Sequence, residues 1–501
     1  MIERSSGILL HVSSLPGEYG IGDLGENAYK FVDFLKDCKQ KIWQMLPLVP
    51  VGYGNSPYQS VSVFAGNPLF IDLAEFVTLG YISEEELGNL KKINNIKKVL
   101  YEEVAIEKEK ILNKIYSTFS NNNGIIYEKS EFSKFVENNS KWLKEYAVFM
   151  VLKKKFNNRS WRYWPRIYKF KSKRAIKNIC IDYAERVQYY YFEQYIFYKQ
   201  FNKLKKYAND NGIKIFGDIP IYVSTDSADA WGNMKLFQFT KFGKPKRVAG
   251  CPPDYFSKTG QLWGNILYDW DKMRKQKYTW WINRLKHSFE IYDIVRLDHF
   301  IGFDSYWSIP AEDKTAIYGR REKGPGMELF EYAEKKLGKL SIVAEDLGAL
   351  TESVRNLLKQ TKFPGMKILE FAFDSYDSDY LPHKYNENSF AYTGTHDNNT
   401  VNGWFSENHE NIKNYAIEYI NNYTGEYSND IPMNIKMIMA LLKSNARGVI
   451  VPVQDYLGIG SEGRMNVPST VGANWEWRLG IDMIHSGVSE NIKNLISKYN
   501  R

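Results

Sequence analysis

Cysteine is nearly absent: 501 residues hold three, Cys38, Cys180 and Cys251, far apart and with no CxxC pair. Such spacing builds neither a disulfide framework nor a structural zinc site. Histidine is scarce too, at 7, and no His/Cys/carboxylate cluster carries ligand spacing, so no metal is expected. No apolar run approaches the ~18 residues of a membrane span. Residues 1–11 lack the apolar core length and cleavage site of a signal peptide. The expected setting is therefore the cytoplasm, without a membrane partner. Charge of one sign is also thin: 67 Lys plus Arg against 58 Asp plus Glu leave +9, densest at 153–155 and 171–174. Nucleic-acid binding wants a concentrated basic face, and is set aside.

What the chain has in quantity is aromatic residues: 36 Tyr, 28 Phe and 13 Trp. A large core absorbs many of these, and an excess of Tyr and Trp also suits a surface that stacks on ring-shaped ligands. Hydrophobic residues at 44% and charged residues at 25% are ordinary for a globular protein and exclude extended disorder. The length fits one large barrel with insertions, or two to three ordinary domains.

Short β-rich runs bounded by turn residues recur along the chain. They are Gly7-Ile-Leu-Leu-His-Val12, Ile42-Trp-Gln-Met-Leu-Pro47, Ile213-Lys-Ile-Phe-Gly-Asp218 and Ile291-Tyr-Asp-Ile-Val-Arg-Leu297. Ser341-Ile-Val-Ala-Glu345, Lys367-Ile-Leu-Glu-Phe-Ala372, Ser389-Phe-Ala-Tyr-Thr393 and Gly448-Val-Ile-Val-Pro-Val453 continue the series. Amphipathic stretches such as 26–36 and 351–362 lie between them. Eight buried parallel strands alternating with helices predict an α/β fold, a (β/α)8 barrel. An open doubly wound sheet is the alternative, but no GxGxxG opens a helix after a strand. The gap between the second and third strands far exceeds one β/α repeat. Residues 60–205 are expected to form an inserted, mainly helical subdomain, and 224–290 a second insertion carrying a loop to the site. The whole of 1–501 then reads as one catalytic barrel.

Polar residues at the C-terminal ends of barrel strands face the active site. Those ends supply Asp218, Arg296 with Asp298, Glu345 with Asp346, and His396 with Asp397. Arg296 and Asp298 are two apart and share a face, and a neighbouring cation favours the ionised form of a carboxylate. A single strand-end Asp commonly caps a helix, and Arg296–Asp298 alone would serve as a barrel-plugging ion pair. Four strands ending in carboxylates weaken that reading jointly. Converging acids without metal ligands suit glycosidic bond cleavage through an oxocarbenium-like transition state.

Gly217-Asp-Ile-Pro-Ile-Tyr-Val223, Arg296-Leu-Asp-His-Phe300, Ala344-Glu-Asp-Leu-Gly348 and Thr395-His-Asp-Asn398 resemble the four signature regions of the 4-α-glucanotransferases called amylomaltase or disproportionating enzyme. These form glycoside hydrolase family 77, a relative of the α-amylase clan. Gly54-Asn-Ser-Pro-Tyr-Gln59, Pro252-Pro-Asp-Tyr-Phe-Ser257, Trp263-Gly-Asn265 and Arg464-Met-Asn-Val-Pro468 match further. Cys251, Ile266 and the Arg321-Glu322 pair depart from the family pattern, all expected in loops. The resemblance implies that Asp298 is the nucleophile, Glu345 the general acid/base and Asp397 the carboxylate that stabilises the transition state. It implies Arg296, His396 and Asp218 around the transferred sugar, and substrate contacts at Tyr53, Tyr58, Asp254, Tyr255, Trp263, Phe371 and Asn466. Tyr53, Tyr58 and Trp263 would equally fill gaps between subdomains. Residues 161–165, Trp-Arg-Tyr-Trp-Pro, are expected to pack rather than to bind.

The implied partners are α-1,4-glucans (maltooligosaccharides, starch or glycogen dextrins) with glucose as acceptor or product, and no cofactor is implied. Two competitors stand beside the transferase: an α-amylase-type retaining hydrolase, and an inactive glucan-binding barrel. About 50 residues follow the eighth strand, too few for the ~100-residue C-terminal β-sandwich. The inactive barrel would be expected to have lost carboxylates, and none is missing.

Overall fold

Eight short parallel strands organise the computed structural model, which describes residues 3–121, 129–253, 257–348 and 350–501. They are β1 (Ser5–Leu9), β2 (Ile42–Gln44), β3 (Lys214–Ile219), β4 (Ile294–Leu297), β5 (Ile342–Ala344), β6 (Gly365–Ile368), β7 (Ser389–Tyr392) and β8 (Gly448–Pro452). The ladder runs β6-β7-β8-β1-β2-β3-β4-β5. At its open edge the Ala344 N–H donates to the Pro364 carbonyl at 2.8 Å, and Asp346 accepts from the Met366 N–H at 2.7 Å. The sheet is thus a nearly closed (β/α)8 barrel.

Each of the eight sequence runs falls on one of these strands, but several boundaries move, the second strand for one ending at Gln44 rather than Pro47. The first strand begins at Ser5, and residues 12–14 turn into a 3-10 helix. Ile291 ends the helix Thr279–Ile291 rather than opening β4. The sixth strand ends at Ile368, and Leu369–Ala372 form a 3-10 turn. A buried helix end and a buried strand carry the same apolar residues, so composition alone does not divide them.

Strands β1, β2, β4, β5, β7 and β8 are buried along their whole length, as parallel strands covered on both faces must be. Gly217 in β3 has a steric reason: a β-carbon there would lie 2.2 Å from the Tyr292 ring. The helix Glu26–Asp37 buries Ala28, Phe31, Val32 and Leu35 on one face. In Glu352–Thr361 the Thr351 hydroxyl accepts the Val354 N–H, and the helix ends at Lys362 in the left-handed region.

Between β2 and β3 stand the helices Tyr101–Asn121, Lys129–Asn138, Ser140–Lys155, Lys173–Asp182 and Ala184–Asp210. The last explains much of the aromatic excess, burying Tyr189, Tyr190, Tyr191, Phe192, Tyr195, Phe197, Tyr198 and Phe201. Trp161 and Trp164 are buried against Phe239 and Trp231, as expected for a packing cluster.

One feature was not read from the sequence, and it places Cys251, Ile266 and Arg321-Glu322, expected in loops, on strands. Gln261–Ile266, Arg247–Cys251, Ser305–Pro310 and Arg320–Lys323 form a four-stranded antiparallel sheet in that order, with β4 between its two hairpins in the chain. Its two outer strands are largely exposed, and Arg320–Lys323 contains no apolar residue, so the alternation that announces a strand is lost there. Among the described residues no helix is long and apolar enough to cross a membrane.

Candidate active site

Arg296 is the centre around which the strand ends converge. It pairs in register with Asp218 of β3 and with Val343 of β5, and only 4% of its side chain is exposed. Its Nη1 donates to both Asp218 oxygens, at 3.0 and 2.8 Å, and to Asp298 Oδ1 at 2.9 Å. Nη2 lies 3.8 Å from Glu345 Oε2. Burial opposes the guanidinium charge, and Asp218 and Asp298 more than offset that burial. The Tyr58 hydroxyl donates to Asp218 Oδ2 at 2.8 Å. The Tyr58 ring stacks on His396, centroids 5.1 Å apart, and Trp475 stands 5.8 Å from both.

Glu345 follows β5 and accepts two backbone N–H groups, from His299 at 2.6 Å and from Leu347 at 3.1 Å. Burial pushes its carboxyl up to about 8, Arg296 pulls it down, and the Asp298 charge raises it again. Glu345 is thus a protonated acid at neutral pH. The His299 N–H reaches it because His299 has a φ of +48° directly after Asp298. Burial lowers the His299 imidazole to about 4, so it is neutral, and its ring meets Trp263 edge-on at 4.9 Å.

Asp397 is the most open of the three acids, its side chain 46% exposed against 26% for Asp298 and 11% for Glu345. Asn466 Nδ2 donates to its Oδ1 at 2.6 Å, Arg464 Nη2 to its backbone carbonyl at 3.0 Å, and His396 Nε2 lies 3.5 Å from Oδ2. Trp263 sits on the antiparallel sheet. Its carbonyl accepts from Gln59 Nε2 at 3.1 Å, and the same amide donates to Asn265 at 2.8 Å, tying the loop after β2 to that sheet.

The fold therefore gathers Asp218, Arg296, Asp298, Glu345 and Tyr58, with His396 stacked on Tyr58, and sets Asp397 and Asn466 beside His396. Phe371 is half-buried in the turn after β6 and its ring packs on Tyr380, apart from these contacts. Tyr53 lies in the turn Tyr53–Asn55, and Asp254 and Tyr255 fall outside the described residues. Sequence reasoning missed His299, Arg464, Gln59 and Trp475 as site residues. The first three sit inside motifs already singled out. Trp475 carries no local signal, since only the folded tail brings it to Tyr58. Among the described residues no group of three His, Cys, Asp or Glu is placed to hold a metal ion.

A carboxyl held protonated beside a carboxylate on a shared cation is equipped to cleave a glycosidic bond. A 4-alpha-glucanotransferase family profile, glycoside hydrolase family 77, matches residues 10–482. The chain belongs to that family. The 4-alpha-glucanotransferase of Streptococcus pneumoniae is 44% identical, over 100% of this chain and 98% of its own length. That of Clostridium butyricum is 43% identical, over 98% of this chain and all of its own. The amylomaltase of Streptococcus agalactiae, solved in complex with acarbose, superposes with a TM-score of 0.95 at 39% identity, covering 100% of both chains. As a family 77 4-α-glucanotransferase, the chain is a transferase built on a glycoside hydrolase framework.

Proposed function

We propose that Asp298, Glu345 and Asp397 carry the reaction of this 4-α-glucanotransferase by a retaining double displacement on an α-1,4-glucan. Asp298 attacks the anomeric carbon while Glu345 gives its proton to the departing 4-oxygen, so a glycosyl ester forms as the glycosidic bond breaks. The 4-hydroxyl of glucose or of another glucan then attacks the same carbon. Its proton passes to Glu345 and the Asp298 carboxylate leaves. The observation that carries this reading is the single guanidinium of Arg296, 2.9 Å from Asp298 and 3.8 Å from Glu345. Two carboxyls served by one guanidinium are close neighbours, as the paired acids of a glycosidase site must be.

Asp397, steadied by Asn466, accepts sugar hydroxyls that bind more strongly as positive charge develops at the ring. Arg296, Asp218 and His396 surround that sugar, and Tyr58 and Trp263 wall the cleft. Tyr53, Asp254, Tyr255 and Phe371 are assigned to substrate contact on the family resemblance. Residues 60–205 and 224–290 act as insertions on one barrel, the second arching over the cleft. The substrates are maltooligosaccharides and starch or glycogen dextrins, glucose is acceptor or product, and the setting is the cytoplasm.

Incubating the protein with maltotriose tests this. Glucose and a ladder of longer maltooligosaccharides should appear with little net gain in reducing ends. Steady release of reducing ends, with no product longer than the substrate, would replace the transferase by a hydrolase.

A further inference from the structure

Glu370 stands in the turn Leu369–Ala372 behind the loop that carries His396 and Asp397, and the reaction as derived has no use for it. Its backbone N–H donates to the Thr393 carbonyl at 3.2 Å, which docks the turn on the end of β7. The side chain is 4% exposed, and its Oε1 bonds no described group. That oxygen faces Gly394, where even a β-carbon would come within 3.0 Å of it. A buried polar atom without a partner costs about 1–3 kcal/mol, and an apolar side chain of the same volume would avoid that cost. Stability therefore does not account for an acid here.

One arm leads from Glu370 to Asp397. Asn398 Oδ1 accepts both the Thr395 N–H and the Thr395 hydroxyl, each at 2.9 Å, closing the turn over residues 395–398. Thr395 Oγ1 accepts the Asp397 N–H in turn, at 3.3 Å. With its oxygen so engaged, Asn398 has its NH2 left for the Glu370 carboxyl beside it: a β-carbon at Gly394 would lie 3.0 Å from both Asn398 Cβ and Glu370 Oε1. Arg464 holds the same loop, bonding the Asp397 carbonyl at 3.0 Å and the Asn466 carbonyl at 2.9 Å. Behind them lies Asp455, 1% exposed, which accepts the Thr393 hydroxyl and the Val401 N–H.

We propose that Glu370 is a positioning residue for Asp397, setting the carboxylate from behind its loop through Asn398. This rests on Asp397 acting on the reacting sugar. Burial, reinforced by the Asp455 charge, raises Glu370 well above the usual carboxylate range, so it works as a neutral acid that accepts from the Asn398 amide. Glutamine reproduces that shape and charge state. Methionine fills the volume without an acceptor.

The test measures maltotriose transfer in Glu370→Gln, Glu370→Met, Asn398→Ala and the Glu370→Met/Asn398→Ala double variant, with Asp397→Asn as reference. Glu370→Gln should stay within about threefold of the parent, while Glu370→Met and Asn398→Ala each lose about tenfold in kcat with KM within about twofold. The double variant should lose about the same tenfold, because both changes cut one chain of contacts. A hundredfold loss in the double variant, or a lowered melting temperature with parental kcat in Glu370→Met, overturns the proposal. Should Glu370→Met not fold, Glu370→Asp keeps the acid and withdraws it from Asn398 by one methylene: a similar kcat loss supports the proposal and parental kcat overturns it. A fully active Asp397→Asn would instead overturn the role of Asp397 itself.

Discussion

Replacing Glu345 by Gln should make the protein more stable at neutral pH and less stable in acid. In the native state burial lifts this carboxyl from 4.5 to about 8. The unfolded chain releases its proton near 4.5, so the native state binds more protons between those values. Stability therefore falls as pH rises through that window. At pH 7 the loss is about 3 kcal/mol, at about 1.4 kcal/mol for each pH unit above 4.5. Glutamine does not titrate and escapes it. Glutamine has only one acceptor oxygen, however, while two N–H groups, from His299 and Leu347, point at this position. Losing one of those bonds costs about 1 kcal/mol. The variant should thus gain about 2 kcal/mol at pH 7 and lose about 1 kcal/mol at pH 4, crossing the parent near pH 5. Urea titrations of both proteins from pH 4 to pH 8 read this directly. A difference that is constant across pH, or a Glu345→Gln protein weaker than the parent at pH 7, would refute a buried, protonated Glu345.

Three further outcomes concern the chemistry. Asp298→Asn should lower transfer by about three orders of magnitude or more while circular dichroism and melting stay near parental, since an amide of the same shape is a poor nucleophile. Near-parental rates in a folded variant would remove Asp298 from that role. Glu345→Gln should slow maltooligosaccharide donors at least about tenfold more than activated aryl glucosides, whose leaving groups need little protonation; equal losses on both would remove Glu345 as the acid. Trp263→Ala should raise the ratio of reducing ends released to chains transferred several-fold, because the acceptor loses a wall and water gains access. An unchanged ratio would show that Trp263 does not hold the acceptor.

The barrel and its acids were legible because each rests on a short-range rule. Eight apolar runs bounded by turn residues mark eight buried strands, and the two-residue period along Val295-Arg296-Leu297-Asp298 puts cation and carboxylate on one face. What stayed hidden depends on contacts between distant segments. Nothing near Glu345 announces the His299 N–H, which arrives through one left-handed residue on another strand end. Trp475 meets Tyr58 and His396 only once the tail folds back. Arg247–Cys251 and Ser305–Pro310 pair across a barrel strand, and their outer partners Gln261–Ile266 and Arg320–Lys323 have too little apolar alternation to be read as strands. Glu370 was visible inside the sixth run but was assigned to a strand, which concealed that it lies in a turn beneath Asp397.

The crowding of charges around Arg296 has a consequence for timing. Part of what keeps a proton on Glu345 is the negative charge of Asp298 next door. In the proposed double displacement, bonding of the Asp298 oxygen to a sugar removes that charge, while Arg296 still stands 3.8 Å from Glu345. The residue that has just surrendered a proton then finds itself beside a cation with one fewer rival, and can remain an anion for as long as no acceptor has come. When the acceptor is joined and Asp298 is freed, its charge returns and Glu345 holds its new proton tightly again. In that scheme the alternation between acid and base follows the covalent state of the neighbouring carboxyl, and the same two side chains serve both halves of the cycle.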